Sequence, residues 1–151
     1  MRVQAEDFDA GVELARLRVD PAVGAVVSFT GLVRDANEVA GTTARVGALT
    51  LEHYPGMTER SLVAICDAAL ARWSLVDVVV IHRVGRLVPT DQIVFVAASS
   101  AHRGDAFAAC DFVMDYLKRD APFWKKEDTD AGARWVEARQ ADADAASRWN
   151  P

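Results

Sequence analysis

Residues 92–119, QIVFVAASSAHRGDAFAACDFVMDYLKR, change their hydrophobic period part-way along, and that change decides the fold. The first nine, QIVFVAASS, are β-branched, aromatic and small, which predicts a strand over 92–100. From Arg103 to Arg119 the apolar residues Phe107, Cys110, Met114 and Leu117 recur at helical spacing, and Pro122 ends the run. A strand therefore passes straight into a long helix through SSAHRGD (99–105). Working back toward the N-terminus, VDVVVIHRVG (76–85) reads as another strand, separated from the first by a Pro89-Thr90-Asp91 turn. MTERSLVAICDAALARW (57–73) reads as a helix carrying Leu62, Ile65, Cys66, Ala69, Leu70 and Trp73 on its apolar side, with Thr58 as its cap. Strands are predicted at 24–34 and about 46–53, and a short helix at 9–18 capped by Asp9. Asp35 to Ala44 is polar and aperiodic, and reads as a mobile loop. Beyond Pro122, FWKKED and RWVEAR predict two short strands joined by a Thr129–Ala133 loop. A polar, alanine-rich tail over about 140–151 reads as partly helical or frayed. The expectation is an α+β single domain over 1–151, with a mixed or antiparallel sheet and two main helices.

Composition narrows the function classes. The chain has 151 residues, 51% hydrophobic and 26% charged, with a formal net charge of -5. That acidity argues against a general nucleic-acid binder and makes a local cluster of cations informative. The opening residues are too acidic and broken for a secretory signal, and no apolar run has the length of a membrane span, so the reading is cytoplasmic. Cys66 and Cys110 are far apart, each on a predicted apolar helix face, and read as reduced core thiols. His53, His82 and His102 share no metal-ligand spacing, and His82 reads as a packed structural histidine.

Three places can carry chemistry. At SSAHRGD the backbone N–H groups and the dipole of a helix start favour an anion such as phosphate, with His102 and Arg103 adding side-chain donors; the alternative is Ser100 capping the helix above a solvated Arg103. Lys118 borders the apolar stripe of the same helix, where a lysine either snorkels outward or projects into a pocket. Lys125 and Lys126 fall on opposite faces of an extended segment, so one of them joins Lys118 if the chain folds back. Clustered cations make a lysine usable as an acid or base. Arg34, at a strand end beside the polar loop, suits a substrate clamp or an ordinary surface position. Residues alone lead to an anion-binding protein with lysine chemistry, and leave open a non-catalytic small-anion or nucleotide sensor, or a structural subunit whose lysines dock an acidic tail.

The stretches VSFTGLVRD (27–35), LTLEHYPGMTE (49–59), VVIHRVGRLVPTDQIVFVAASSAHR (79–103), FVMDYLKRDAPFWKKE (112–127) and RWVEAR (134–139) resemble, in order and over nearly the whole chain, the large-subunit family of molybdopterin synthase. The resemblance implies an α/β hammerhead fold and a sulfurtransferase of molybdenum cofactor biosynthesis. It implies a homodimer with a small ubiquitin-like subunit at each end, a 2+2 heterotetramer. The small subunit's C-terminal Gly-Gly thiocarboxylate would deliver sulfur to cyclic pyranopterin monophosphate, forming the dithiolene without a metal or organic cofactor. Carried over by position, the substrate contacts are Arg34, His102, Arg103, Lys118, Lys125, Lys126 and Glu127, with Lys118 and Lys125 nearest the chemistry. Relatives can carry a basic residue where Leu32 stands. The family's pockets draw on both protomers, so Arg34, His102 and Arg103 would serve the neighbour's site. Glu127 would orient a lysine by an ion pair, and Phe29, Met114 and Pro122 would form wall and core.

Overall fold

The computed structural model describes residues 1–39, 42–136 and 140–149. In chain order these form β1 (Arg2–Gln4), α1 (Ala10–Leu17), β2 (Ala25–Leu32), β3 (Ala36–Val39), β4 (Thr42–His53), α2 (Met57–Arg72), β5 (Leu75–Arg83), β6 (Gly85–Leu87), β7 (Gln92–Ser100), α3 (Arg103–Asp120), β8 (Phe123–Thr129), β9 (Gly132–Val136) and α4 (Gln140–Ser147).

One sheet has the order β1-β5-β7-β2, with β1 parallel to β5 and the other pairs antiparallel. Strand β7 is buried from Val94 to Ser100 because both faces of this sheet are covered. On one face, α1 packs Leu17 and Leu14 with Phe8 over Ile81, Phe95 and Ala97. On the other, α2 and α3 pack Leu62, Ile65, Val113 and Leu117 against Val80 and Val96. The second sheet runs β3-β4-β8-β9, with β6 also paired to β4. Its small core is Val33, Leu49, Leu51 and Leu87.

Several local expectations change in the fold. Within the segment read as a loop, 36–39 forms β3 and pairs with the start of β4, Ala36 opposite Arg45 and Asn37 opposite Ala44, while Ala40 and Gly41 lie outside the described residues. Its polar residues give no apolar alternation for a strand to be read from. The strand expected over 76–85 ends at Arg83; Gly85, with φ +90°, turns the chain so that 85–87 pairs with β4 instead. Three-residue β1 is too short to show a period. Thr58 does not cap α2, which starts from Gly56, whose N–H donates to the Glu59 carboxylate at 2.6 Å. Fully buried Thr58 instead accepts from Tyr54 N–H and donates to the Pro122 carbonyl, tying α2 to the end of α3. Asp9 caps α1 as expected, accepting from Val12 N–H at 3.0 Å.

Of the two readings of the tail, the helical one holds over 140–147, and the helix is docked. Residues 140–147 form α4 with Ala146 buried, and Trp149 meets Trp73 and Phe112 edge-on. Arg148 pairs with Asp111 and Asp115 of α3, each at 2.7 Å, and Arg72 donates to the Trp149 carbonyl. The expected strand 134–139 is described only to Val136; Glu137, Ala138 and Arg139 lie outside the described residues. No helix among the described residues is long and apolar enough to cross a membrane.

Candidate active site

Helix α3 starts where β7 ends, and its first turn has no side-chain cap: the N-cap position is His102. Ser100 accepts from His102 N–H at 3.2 Å but sends its own hydroxyl to the Ser74 carbonyl, so the N–H groups of the first helical turn stay uncapped by side chains. His102, Arg103 and Gly104 line a cavity of about 420 Å³ closed by Gly24, Ala25 and Ala101. Gly24 is required there, since a Cβ at this position would lie 2.3 Å from the Ala101 carbonyl oxygen. Exposed Arg103 forms no ion pair among the described residues. Uncapped N–H groups, a helix dipole and a free guanidinium fork together suit an anion.

A second cavity, about 760 Å³, runs from Gly104 along α3 to Lys118, with Val27, Ser28 and Phe29 of β2 as the facing wall. The two cavities share Gly104 and form one groove between edge strand β2 and α3. Phe107 belongs to this groove and is 61% exposed. The buried side of α3 includes Cys110 and Leu117 as predicted, adds Ala106, Ala109, Phe112 and Val113, and leaves Phe107 outside it. Alanines there let the helix approach closely and leave Phe107 at the margin. Met114 and Phe29 line the groove as expected of wall residues. Lys118 shares it with Asp111 and Asp115, whose charges are met by Arg148.

Arg103 and Lys118 stand fifteen residues apart on one helix, roughly 22 Å along its axis at 1.5 Å per residue. A single protomer therefore holds its cations at opposite ends of the groove and does not close them around one small anion.

The remaining candidates gather on the second sheet. Lys125 and Lys126 diverge as strand alternation requires. Lys126 Nζ lies 6.0 Å from the Trp135 ring centroid on the outer face, whereas Lys125 shares the inner face of β8 with Phe123 and Glu127. Phe123 stacks on His82 with ring centroids 3.7 Å apart. Glu127, 5% exposed, is expected from sequence to orient a lysine; in the fold its Oε2 accepts from Arg134 at 2.6 Å and its Oε1 from Asn37 Nδ2. Asn37 Oδ1 in turn accepts from Arg34 at 2.5 Å. Buried Val33 fixes the base of Arg34, bonding to Asp91 and Thr90 of the turn before β7. Asn37 and Arg134 did not emerge from reading the sequence. Arg134 was within reach of it, because a short hairpin over 123–136 places residue 134 opposite 127.

Cys66 and Cys110 are both free and buried, Cys110 in the wall of the groove and Cys66 away from it, and burial pushes each up to about 11. No cluster of His, Cys, Asp and Glu suited to a metal occurs among the described residues. His82 is the packed histidine expected, its Nδ1–H donating to the Arg83 carbonyl at 2.8 Å. Burial lowers it to about 4, with Lys125 and His53 acting in the same direction and the Arg83 bond opposing them. Since its folded value lies below the ordinary 6.5, the unfolded chain binds the extra proton. Stability is then full above pH 6.5 and falls by about 3 kcal/mol as pH drops toward 4. Urea unfolding of His82→Phe should lack that part of the acid slope; an unchanged slope would contradict a neutral buried ring.

The family model described as MoaE protein matches residues 3–120. The chain belongs to the MoaE family. This MoaE-family chain is 60% identical over 150 residues to a "Molybdopterin synthase catalytic subunit" of Ralstonia nicotianae, covering 99% of this chain and 83% of that one. The solved "Molybdopterin biosynthesis MoaE protein" of Burkholderia ambifaria superposes with a TM-score of 0.82 at 54% identity, over 98% and 95% of the two chains. A Helicobacter pylori structure, a protein–protein complex of subunits 1 and 2 of molybdopterin-converting factor, shares the fold with a TM-score of 0.69 at 17% identity, over 91% of each chain. The α+β architecture expected from the period change in 92–119 is thus the MoaE architecture.

Proposed function

We propose that this MoaE-family chain is the catalytic large subunit of a molybdopterin synthase, a sulfurtransferase of molybdenum cofactor biosynthesis. It takes sulfur from the C-terminal thiocarboxylate of a small ubiquitin-like partner and places it on cyclic pyranopterin monophosphate. Two transfers form the dithiolene and open the cyclic phosphate; in each, water takes up the acyl group as its bond to sulfur breaks, and the small subunit leaves as its C-terminal carboxylate. The observation that carries this reading is the groove between β2 and α3, with an uncapped helix start and Arg103 at one end and Lys118 at the other, in a chain 60% identical to a catalytic subunit.

The site is built from two copies. Its cations are too far apart within one chain, and an isologous contact across α3 sets position 103 of one copy beside position 118 of the other. The edge strand β2, with Phe29 and Leu32 exposed, gives such a contact an unpaired backbone and an apolar surface. In the assembled pocket Arg34, His102 and Arg103 hold the phosphate and the pterin, Lys126 is a further substrate contact, and Lys118 and Lys125 stand nearest the reacting carbons. Lys118 exchanges the proton and steadies the charge that develops as the thiocarboxylate sulfur attacks. The two-subunit complex of the Helicobacter pylori relative supports the pairing with a second protein.

The test is incubation of the purified chain with a thiocarboxylated Gly-Gly-terminated small subunit and cyclic pyranopterin monophosphate, scoring dithiolene product. Binding of the precursor without turnover would favour an anion sensor instead.

A further inference from the structure

Four side chains from three strands and one strand end form a line that the substrate contacts alone do not explain: Arg134 on β9, Glu127 on β8, Asn37 on β3 and Arg34 just after β2. Its centre is a carboxylate with almost no access to water. Ionised, that carboxylate only accepts hydrogen bonds. Arg134 supplies two N–H groups to one oxygen, from Nε at 3.1 Å and Nη2 at 2.6 Å. The other oxygen needs a donor, and Asn37 turns its NH₂ toward it.

That turn has a consequence for the outer end of the amide. With Nδ2 committed to the carboxylate, Oδ1 must face away, where it presents an acceptor. A donor fits there, and the guanidinium of Arg34 is the one found. The reversed amide would set oxygen against carboxylate and NH₂ against guanidinium, so the chain of charges admits one orientation. A carboxamide suits the position because it joins an acceptor-only group to a donor-only group.

We infer that Asn37 is a positioning residue, held by the buried Glu127–Arg134 pair, that aims the Arg34 guanidinium at the anionic part of the substrate; this rests on the reading of Arg34 as a substrate contact. The hairpin of β3 and β4 then serves as the frame that brings Asn37 across ninety residues of sequence to Glu127. A freely rotating Arg34 loses part of its binding as rotamer entropy, and a held one loses less.

The test measures KM for cyclic pyranopterin monophosphate and kcat in the complex with thiocarboxylated small subunit. Asn37→Ala removes the link, and Asn37→Asp keeps the shape while setting a second carboxylate against Glu127. Both should raise KM about tenfold with a much smaller change in kcat. Arg34→Ala should raise KM at least as far, and adding Asn37→Ala to it should cost nothing more, since both act through one guanidinium. An unchanged KM in both Asn37 variants beside a raised KM in Arg34→Ala overturns the positioning role and leaves the contact standing. Full additivity of the two losses overturns it as well. An unchanged KM in Arg34→Ala removes the contact itself, and the positioning role with it.

Discussion

Mixing the Arg103→Ala and Lys118→Ala variants should restore about a quarter of wild-type activity from two preparations that are each nearly inactive. Each variant dimer has two defective pockets, one missing cation in each. After random exchange of protomers about half the dimers are mixed, and a mixed dimer has one intact pocket and one lacking both cations. The basis is the roughly 22 Å of helix between the two residues in a single chain. If one protomer supplied both cations, every pocket containing a variant protomer would stay defective and mixing would recover nothing. The measurement is dithiolene formation before and after exchange, with mixed dimers verified by native mass spectrometry. Mixed dimers without recovered turnover would sink the two-copy pocket.

The second large effect belongs to Lys118 alone. Lys118→Ala should lower turnover by about a hundredfold or more, the usual size of a lost general acid–base group. The loss should appear in kcat, because the phosphate is held by the uncapped α3 turn and Arg103 of the other copy, which this substitution leaves intact. Lys118→Arg separates the two tasks assigned to the ammonium: it keeps the positive charge but cannot give up a proton near neutral pH. Turnover close to the alanine level is expected for the arginine variant. Near-normal product from Lys118→Ala would remove the central role given to this residue.

Much of this site was legible because its strongest parts are local. The passage from β7 to α3 lies within a dozen residues, so the strand-to-helix change of period exposed His102 and Arg103 together. Lys118 could be placed at the edge of its helix by angle alone, and the alternation of Lys125 and Lys126 by the pleat of a strand. The β3 hairpin was not legible, because its polar residues carry no apolar alternation, and the tail, read as partly helical, gave no sign of its docking, since its alanines show no stripe until Trp149 is seen against Trp73 and Phe112. Phe107 was misplaced because Ala106 and Ala109, which weigh little in an apolar pattern, lie with Cys110, Phe112, Val113 and Leu117 on the buried side of α3.

By itself the amino-acid sequence determined the longer strands, the three helices before Pro122 and most of the apolar side of α2, where Leu62, Ile65, Cys66 and Ala69 are buried and only Leu70 turned outward. These follow from periodicity and side-chain chemistry, which act over a few neighbouring positions. The tertiary structure decided which of those residues meet. Glu127 went to Arg134 and Asn37, His82 went beneath Phe123, and Arg103 and Lys118 went to opposite ends of one groove. Such pairings depend on how two sheets and a long helix pack in three dimensions, and a local pattern carries no record of distances between residues ninety positions apart.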